Sequence, residues 1–536
     1  MSARFRRFRI SSPVLAGSIL YPLVFMIISL SWYGRQPQGW KYTGMLQGDQ
    51  PTYTAWARAV FERGNGFFYA NPFDSQIDPP RIYTNLGYLA LAWMHKILPI
   101  SWAATWEILR LACGVAFALI LYQLIRAFCE KETHALYWWA LAITGGGLAW
   151  LHALPAADLT DWIKRFAFIE DGGVIGHGYG WWLPNILRQS LYPLELLYHA
   201  CLYAMLLTML KQRRNTALVL LALLWWMHPI TAILGTTILL LFAIWQLALS
   251  RSKQKELFLL GILLIAAIGY CYYRVFITAF PSGKSLAEQT LAFQGGVLRW
   301  EFLPQAFGLF LLSLPLALFV RNSRHSLISS NNGRMAVCML IATVLWANND
   351  KFLRHPIQPL HFTHGHFFLA LLLLLVIALE NSDWLSRMPR KTLVLAMCAL
   401  LLLASVDNIL FAVRVALERP RAHLLALSPS QQQVLALLKE DPKQQTFICL
   451  EPLFSVQIAC QTRLIPVLGD AAVTPYYELK AKRLGEFLSG QNSTIINSFD
   501  VKWLIGPEEI LASLSSGKGF TPILRNAEYL VLHREE

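Results

Sequence analysis

The chain alternates between apolar runs long enough to cross a bilayer and short, mostly basic connectors. Apolar runs occupy residues 13–32, 84–99, 103–128, 135–151, 186–210, 216–249, 257–279, 303–320, 335–347, 368–380 and 392–413. Stretches of about 17–25 apolar residues with few charges are the mark of transmembrane helices. The stretch 216–249 is long enough for two spans, with a break expected at His228-Pro229. The pattern predicts a mainly α, polytopic helical bundle of about 11–13 membrane segments.

Past residue 425 the pattern changes. Apolar runs shorten, and Gln, Ser, Glu and Lys become common. "TFICL", "RLIPVL", "VKWLIG" and "EYLVLH" read as short strands, while "QQQVLALLKE" and "YYELKAKRLGEFL" read as helices. The expected organisation is a membrane domain over 1–420 and a small soluble α/β domain over 421–536.

The connectors set the expected topology. "MSARFRRFR" precedes the first run, and "KQRRN" (211–215), "RSKQK" (251–255), "RNSRHS" (321–326) and "RMPRK" (387–391) follow later ones. Short basic loops stay in the cytoplasm, which leaves the polar loops 34–83, 153–185, 281–301 and 348–367, and the C-terminal domain, on the opposite face. The three runs between 84 and 151 cannot all cross without reversing this arrangement, so one is expected to be a half-span buried in protein. With 55% hydrophobic and 15% charged residues, the chain lies far from the soluble norm of roughly 25% charged. The expected location is a membrane, with the N-terminus cytoplasmic and the C-terminal domain outside. The net charge of +14 is accounted for by the cytoplasmic loops and does not call for nucleic acid. Eight cysteines are scattered without metal-ligand spacing; Cys449 and Cys460 could pair if exported.

Candidate chemistry gathers in the outer loops. Asp49 stands in "GDQPTY", ahead of an expected amphipathic surface helix over Thr52–Arg63. It can act as the N-cap of that helix, with Pro51 in the first turn, and as a reactive carboxylate. Asp74 in "NPFD" offers a second carboxylate or a turn former. The loop 153–185 carries Asp158, Asp161, Glu170, Asp171, His177 and the pair Trp181-Trp182, a mixture that suits sugar rings or an interfacial belt. Arg188, Glu195 and His199 lie within a span, where ionisable groups imply function or internal pairing; Glu195 and His199, four apart, could pair with each other. Lys351, Arg354, His355, His361, His364 and His366 crowd "KFLRHPIQPLHFTHGHF" beside Phe352, Phe362 and Phe367. Such a loop suits a phosphate or pyrophosphate, Arg supplying a planar fork for its oxygens. H-x-x-H-x-H also permits a metal, without an acidic ligand nearby to complete a set.

Taken in order, these features resemble the GT-C superfamily of polytopic glycosyltransferases, which use lipid-linked sugar donors. The chain is similar to bacterial GT-C-like proteins with a first loop of the form D-x-x-x-Y…G…NP(Y/F), matched by Asp49, Tyr53, Gly66, Asn71 and Pro72. The His-Pro pair of a middle span is matched by His228-Pro229, and the basic-aromatic loop by "KFLRHPIQPLHF". The resemblance implies a membrane glycosyltransferase that moves a sugar from a polyprenyl-phosphate donor to an acceptor hydroxyl on a glycan, lipid or protein, with inversion. It places the general base, or a metal-linked acid, on Asp49. Donor and substrate contacts fall to Lys351, Arg354, His355, His361, Arg188, Tyr53, Asp74 and His228. Gln50 stands where the common pattern has a second adjacent acid, which leaves no assigned metal ligand and a divalent cation as an open cofactor. A non-catalytic lipid transporter would instead line a path through the membrane, often with an inverted repeat; a catalytically silent envelope-assembly scaffold of the same fold is the third reading.

Overall fold

In a computed structural model the described residues are 11–534, apart from 155–156, 159, 162–163, 166–184, 293–299, 383–388, 419, 421 and 516–518. Glu170, Asp171, His177, Trp181 and Trp182 therefore lie outside the described residues. Among the described residues, seven helices are long and apolar enough to cross a membrane: Ser12–Tyr33, Trp102–Arg126, Pro193–Leu210, Pro229–Leu249, Lys253–Ala279, Pro359–Glu380 and Lys391–Leu417. The protein is an integral membrane protein. A further pair, Leu303–Phe319 and Asn322–Ser329, bends by 89° at its break.

Several expected runs are helical but short. Leu86–Ile97 has 12 residues and Glu132–Thr144 has 13. At 1.5 Å per residue each reaches only about 18–20 Å, well under a bilayer core of about 30 Å. Between the first long loop and residue 151 only Trp102–Arg126 has crossing length, so two of the three runs fall short where one was expected to. The break at His228 occurs as expected: one helix ends at Met227 and the next begins at Pro229. Pro229 lacks a backbone N–H and suits a first helical turn, and the His228 ring nitrogen accepts from Thr231 N. Residues 281–292, expected as open loop, form the helix Pro281–Ala292.

The chain divides into two compact units, each described here by itself. The first comprises residues 1–27, 108–269 and 294–417; the second comprises 28–107, 270–293 and 418–536. The C-terminal segment thus belongs to one unit with the first long loop. In the first unit, Gly145–Gly147 lets segments meet closely: Gly146 N donates to Ala404 O at 2.6 Å and Leu148 N to Gln305 O at 3.0 Å. A Cβ on Gly147 would overlap the Gln305 carbonyl, so glycine is required by the approach itself.

In the second unit β1 (Lys41–Tyr42) pairs antiparallel with β2 (Ala426–Leu427). A mixed sheet contains β3 (Thr446–Cys449), β4 (Ile465–Pro466), β5 (Val501–Gly506), β6 (Phe520–Arg525) and β7 (Leu530–Arg534), in the order β4-β3-β5-β7-β6. β4, β3 and β5 are parallel, whereas β7 and β6 turn back antiparallel. Alternation sorts its side chains: Phe447, Cys449, Trp503 and Ile505 join one apolar cluster, and Ile448 and Leu504 the other. Both faces are covered, as a parallel sheet requires. Four of the strands were readable as apolar runs; β6, with mostly exposed side chains, was not. Cys449 and Cys460 are both free and buried, so the conditional disulfide does not form.

Candidate functional site

The helix after the first span begins earlier than its periodicity suggested, at Asp49 rather than Thr52, and ends at Glu62. Its N-cap is Gly48, which corrects the capping role expected of Asp49. The orphan amides of the first turn are met by a reciprocal pair of glutamines. Gln47 Oε1 accepts from Asp49 N at 2.7 Å and Gln50 N at 2.9 Å, and Gln50 Oε1 accepts from Leu46 N at 2.6 Å and Gln47 N at 3.1 Å. Gln50, standing where a second acid was looked for, is a buried staple of the turn.

This arrangement leaves the Asp49 carboxylate for other work. It is open to solvent, yet protein crowds it on most sides. That desolvation pushes its pKa above the ordinary aspartate value, the Asp470 charge pushes it the same way, and a hydrogen bond from Gln47 opposes both. Asp470 follows β4, beyond the carboxyl end of a parallel strand, where α/β sheets place ligands. Its Oδ2 accepts from Thr52 Oγ1 at 2.9 Å and its Oδ1 from Ala472 N at 2.9 Å. The Tyr88 phenol feels the charge of both carboxylates, and the Tyr53 ring lies 5.6 Å from that of Tyr88. A second acid is therefore present, supplied from far along the chain. Among the described residues, no group of three or more His, Cys, Asp or Glu could hold a metal ion.

The "NPFD" turn anchors this region. Asn71 accepts from Phe73 N and donates to Val473 O, both at 2.8 Å. Asp74 is buried, with Oδ1 accepting from Gln76 N at 3.2 Å, and Arg63 Nη2 donates to its backbone oxygen at 3.0 Å. Lys480 donates to Ser75 at 3.0 Å; burial lowers its pKa to about 8, opposed by the Asp74 charge. The surroundings of Asp74 are those of a buried framework residue.

In the first unit the basic-aromatic loop divides into two parts. Asn349 holds the turn, donating to Trp346 O and Ile357 O and accepting from Ile357 N at 2.7 Å. Lys351, Arg354 and His355 are exposed, with Lys351 2.9 Å from Asp350. His361, His364 and His366 instead turn inward and meet His199 of the helix Pro193–Leu210 and His228 at the helix break. Ring centroids are 4.6 Å apart for His361–His364, 4.4 Å for His199–His366 and 6.2 Å for His228–His361. His228 stacks on Tyr198 at 4.1 Å. The pairing expected between Glu195 and His199 is not the observed one: His199 bonds Gln189 at 2.8 Å, and Glu195 lies 3.8 Å from His364. Both partners come from outside the helix: Gln189 precedes it, and His364 lies just ahead of the helix His366–Glu380.

Arg188 is 2% exposed. It donates to Asn408 Oδ1 at 3.0 Å and lies over the Phe411 ring at 4.5 Å. Asp407, next to Asn408, accepts from Ala149 N and Trp150 N at 3.2 and 2.8 Å. Asp407 was legible as an ionisable group inside the apolar run 392–413, by the rule that singled out Arg188. Asp470 carried no such signal beyond a turn residue after a short strand.

Three solved structures are similar to the chain. The oligosaccharyltransferase AglB of Archaeoglobus fulgidus, solved with an inhibitory peptide and a dolichol-phosphate, matches over 93% of this chain and 69% of its own, at 11% identity and TM-score 0.49. ArnT of Cupriavidus metallidurans, solved with undecaprenyl phosphate, matches over 96% and 98%, at 12% identity and TM-score 0.49. The mycobacterial arabinofuranosyltransferase AftD matches over 98% of this chain but 40% of its own, at 13% identity and TM-score 0.49. No family model and no curated protein sequence matches the chain. At these values no residue role is carried over, and the functional reading rests on the side chains described above.

Proposed function

We propose that the protein is a membrane glycosyltransferase that moves a sugar from a polyprenyl-phosphate donor to an acceptor hydroxyl on the extracytoplasmic face. The observation that carries this reading is the Asp49 carboxylate: freed from capping by Gln47, open to solvent, and raised in pKa by desolvation and by Asp470. A carboxylate of raised pKa is a better base towards a hydroxyl than an ordinary one. Asp49 takes the acceptor proton, the acceptor oxygen forms a bond to the anomeric carbon, and the bond from that carbon to the donor phosphate breaks, with inversion. The phosphate leaves with the electron pair. The exposed cations Lys351, Arg354 and His355 suit the charge it carries. Tyr53, in the same unit as Asp49, takes a substrate-facing role in this reading. The acceptor is a glycan, lipid or protein hydroxyl.

The basic loops support an N-terminus in the cytoplasm and a C-terminal domain outside, and the location proposed is a bacterial inner membrane. The deciding experiment is Asp49→Asn in the full-length protein, assayed for sugar transfer from a polyprenyl-phosphate sugar. Transfer should fall by at least about 100-fold, the low end of general-base contributions, with insertion and melting unchanged. Wild-type transfer by this variant would refute the assignment.

A further inference from the structure

The second unit holds a cavity of about 1070 Å³ to which neither Asp49 nor Asp470 contributes. Its walls include Lys41 and Tyr42 of β1, Arg58 and Phe61 of the surface helix, and His95 and Lys96 of Leu86–Ile97. Trp102 and, from the helix Pro429–Lys439, Lys439 complete the part that matters here. Four permanent cations meet one carboxylate, Glu62, which Arg58 already holds at 2.8 Å. Lys41, Lys96 and Lys439 are exposed. Among the described residues none of the three lysines forms an ion pair: Lys439 donates to Gln461 at 3.0 Å and Lys96 lies 4.0 Å above the Phe61 ring. Partial burial lowers the pKa of Lys439, and the nearby charges of Lys41 and Arg58 lower it further, against Cys460. Like charges gathered around open space create a positive potential that draws an anion.

The walls also say what the anion is attached to. Tyr33 is the last residue of the first span and Trp102 the first residue of another, and both line the cavity. Tyr and Trp at span ends mark the depth of lipid headgroups. Trp93, Ile97 and Leu98, beside Lys96, are exposed apolar residues. An apolar rim next to a basic cavity suits a molecule with a charged head and a hydrocarbon body.

We propose that this cavity binds the phosphorylated headgroup of an anionic membrane phospholipid. Each lysine beside an anionic headgroup adds about 1 kcal/mol of attraction, so removing one weakens binding about fivefold. The test is retention of phosphatidylglycerol by the purified full-length protein, read by native mass spectrometry and by titration with mixed vesicles. The double variant Lys41→Gln/Lys439→Gln should lose about 25-fold in affinity for phosphatidylglycerol, with no change towards phosphatidylcholine. Lys41→Arg/Lys439→Arg should bind as wild type, which separates lost charge from lost fold, and Lys482→Gln, an exposed lysine of another helix, should also bind as wild type. Undiminished phosphatidylglycerol binding by the Gln double variant would overturn the proposal. So would binding of inorganic phosphate as tight as that of the lipid, because the ligand would then be a free anion.

Discussion

Replacing Gln50 by Ala tests whether this residue is a staple rather than a missing acid. Its Oε1 is the acceptor for Leu46 N at 2.6 Å and Gln47 N at 3.1 Å, and the side chain is 1% exposed. Truncation leaves two amides buried without an acceptor, each costing about 1–3 kcal/mol. Gly48 and Asp49 are exposed, so some water can enter, and a total of about 2–4 kcal/mol is expected. That corresponds to about 30- to 1,000-fold more frequent local opening. Hydrogen–deuterium exchange of a peptide spanning residues 44–52 reads this directly. Gln50→Glu retains the acceptor oxygens, and the Nε2 it discards has no partner, so its exchange should stay closer to wild type than that of Gln50→Ala. Because the same turn holds Asp49, the Ala variant should also lose sugar transfer. Unchanged exchange in Gln50→Ala would refute the reasoning.

The pH dependence has a definite sign. Asp49 works as a base only when ionised, so transfer should fall as pH drops through its raised pKa; Asp470→Asn removes a like charge and should move that acidic limb to lower pH. An unmoved limb in the pH–rate profile would show that Asp470 does not act on Asp49. The stability linkage runs the other way: a raised folded pKa means the folded state holds the extra proton, so this contribution is full below the unfolded value and is lost as pH rises through the folded one. Gly147→Ala should cost about 3 kcal/mol and lower the melting temperature, because the added carbon overlaps the Gln305 backbone. Gly485→Ala, within the helix Tyr477–Leu488 and with nothing within 4 Å of its added Cβ, should instead gain about 0.5–1 kcal/mol.

The histidine-rich loop shows how composition can mislead about a site. Six basic side chains crowd residues 351–366, which reads as a single anion-binding surface. Asn349 closes the loop on itself, leaving Lys351, Arg354 and His355 outside, while His361, His364 and His366 turn in towards His199 and His228. Spacing along the chain could not show this division, because it depends on which carbonyls Asn349 reaches.

By itself the sequence determined where apolar surface must be buried and where the backbone must break. The long spans, the interruption at His228-Pro229, the alternating strands β3, β5 and β7, and the reactive candidate Asp49 all follow from periodicities and residue chemistry within short windows. The tertiary structure decided what those windows meet. Asp470 lies 421 positions from Asp49 in the chain, yet it reaches Thr52 in the same first turn, because β4 ends there. Gln50 proved a staple because two amides happened to point at it, and Glu195 found His364 rather than His199. Local patterns record propensities, which act over a few residues; partners are set by packing, which acts across the whole chain.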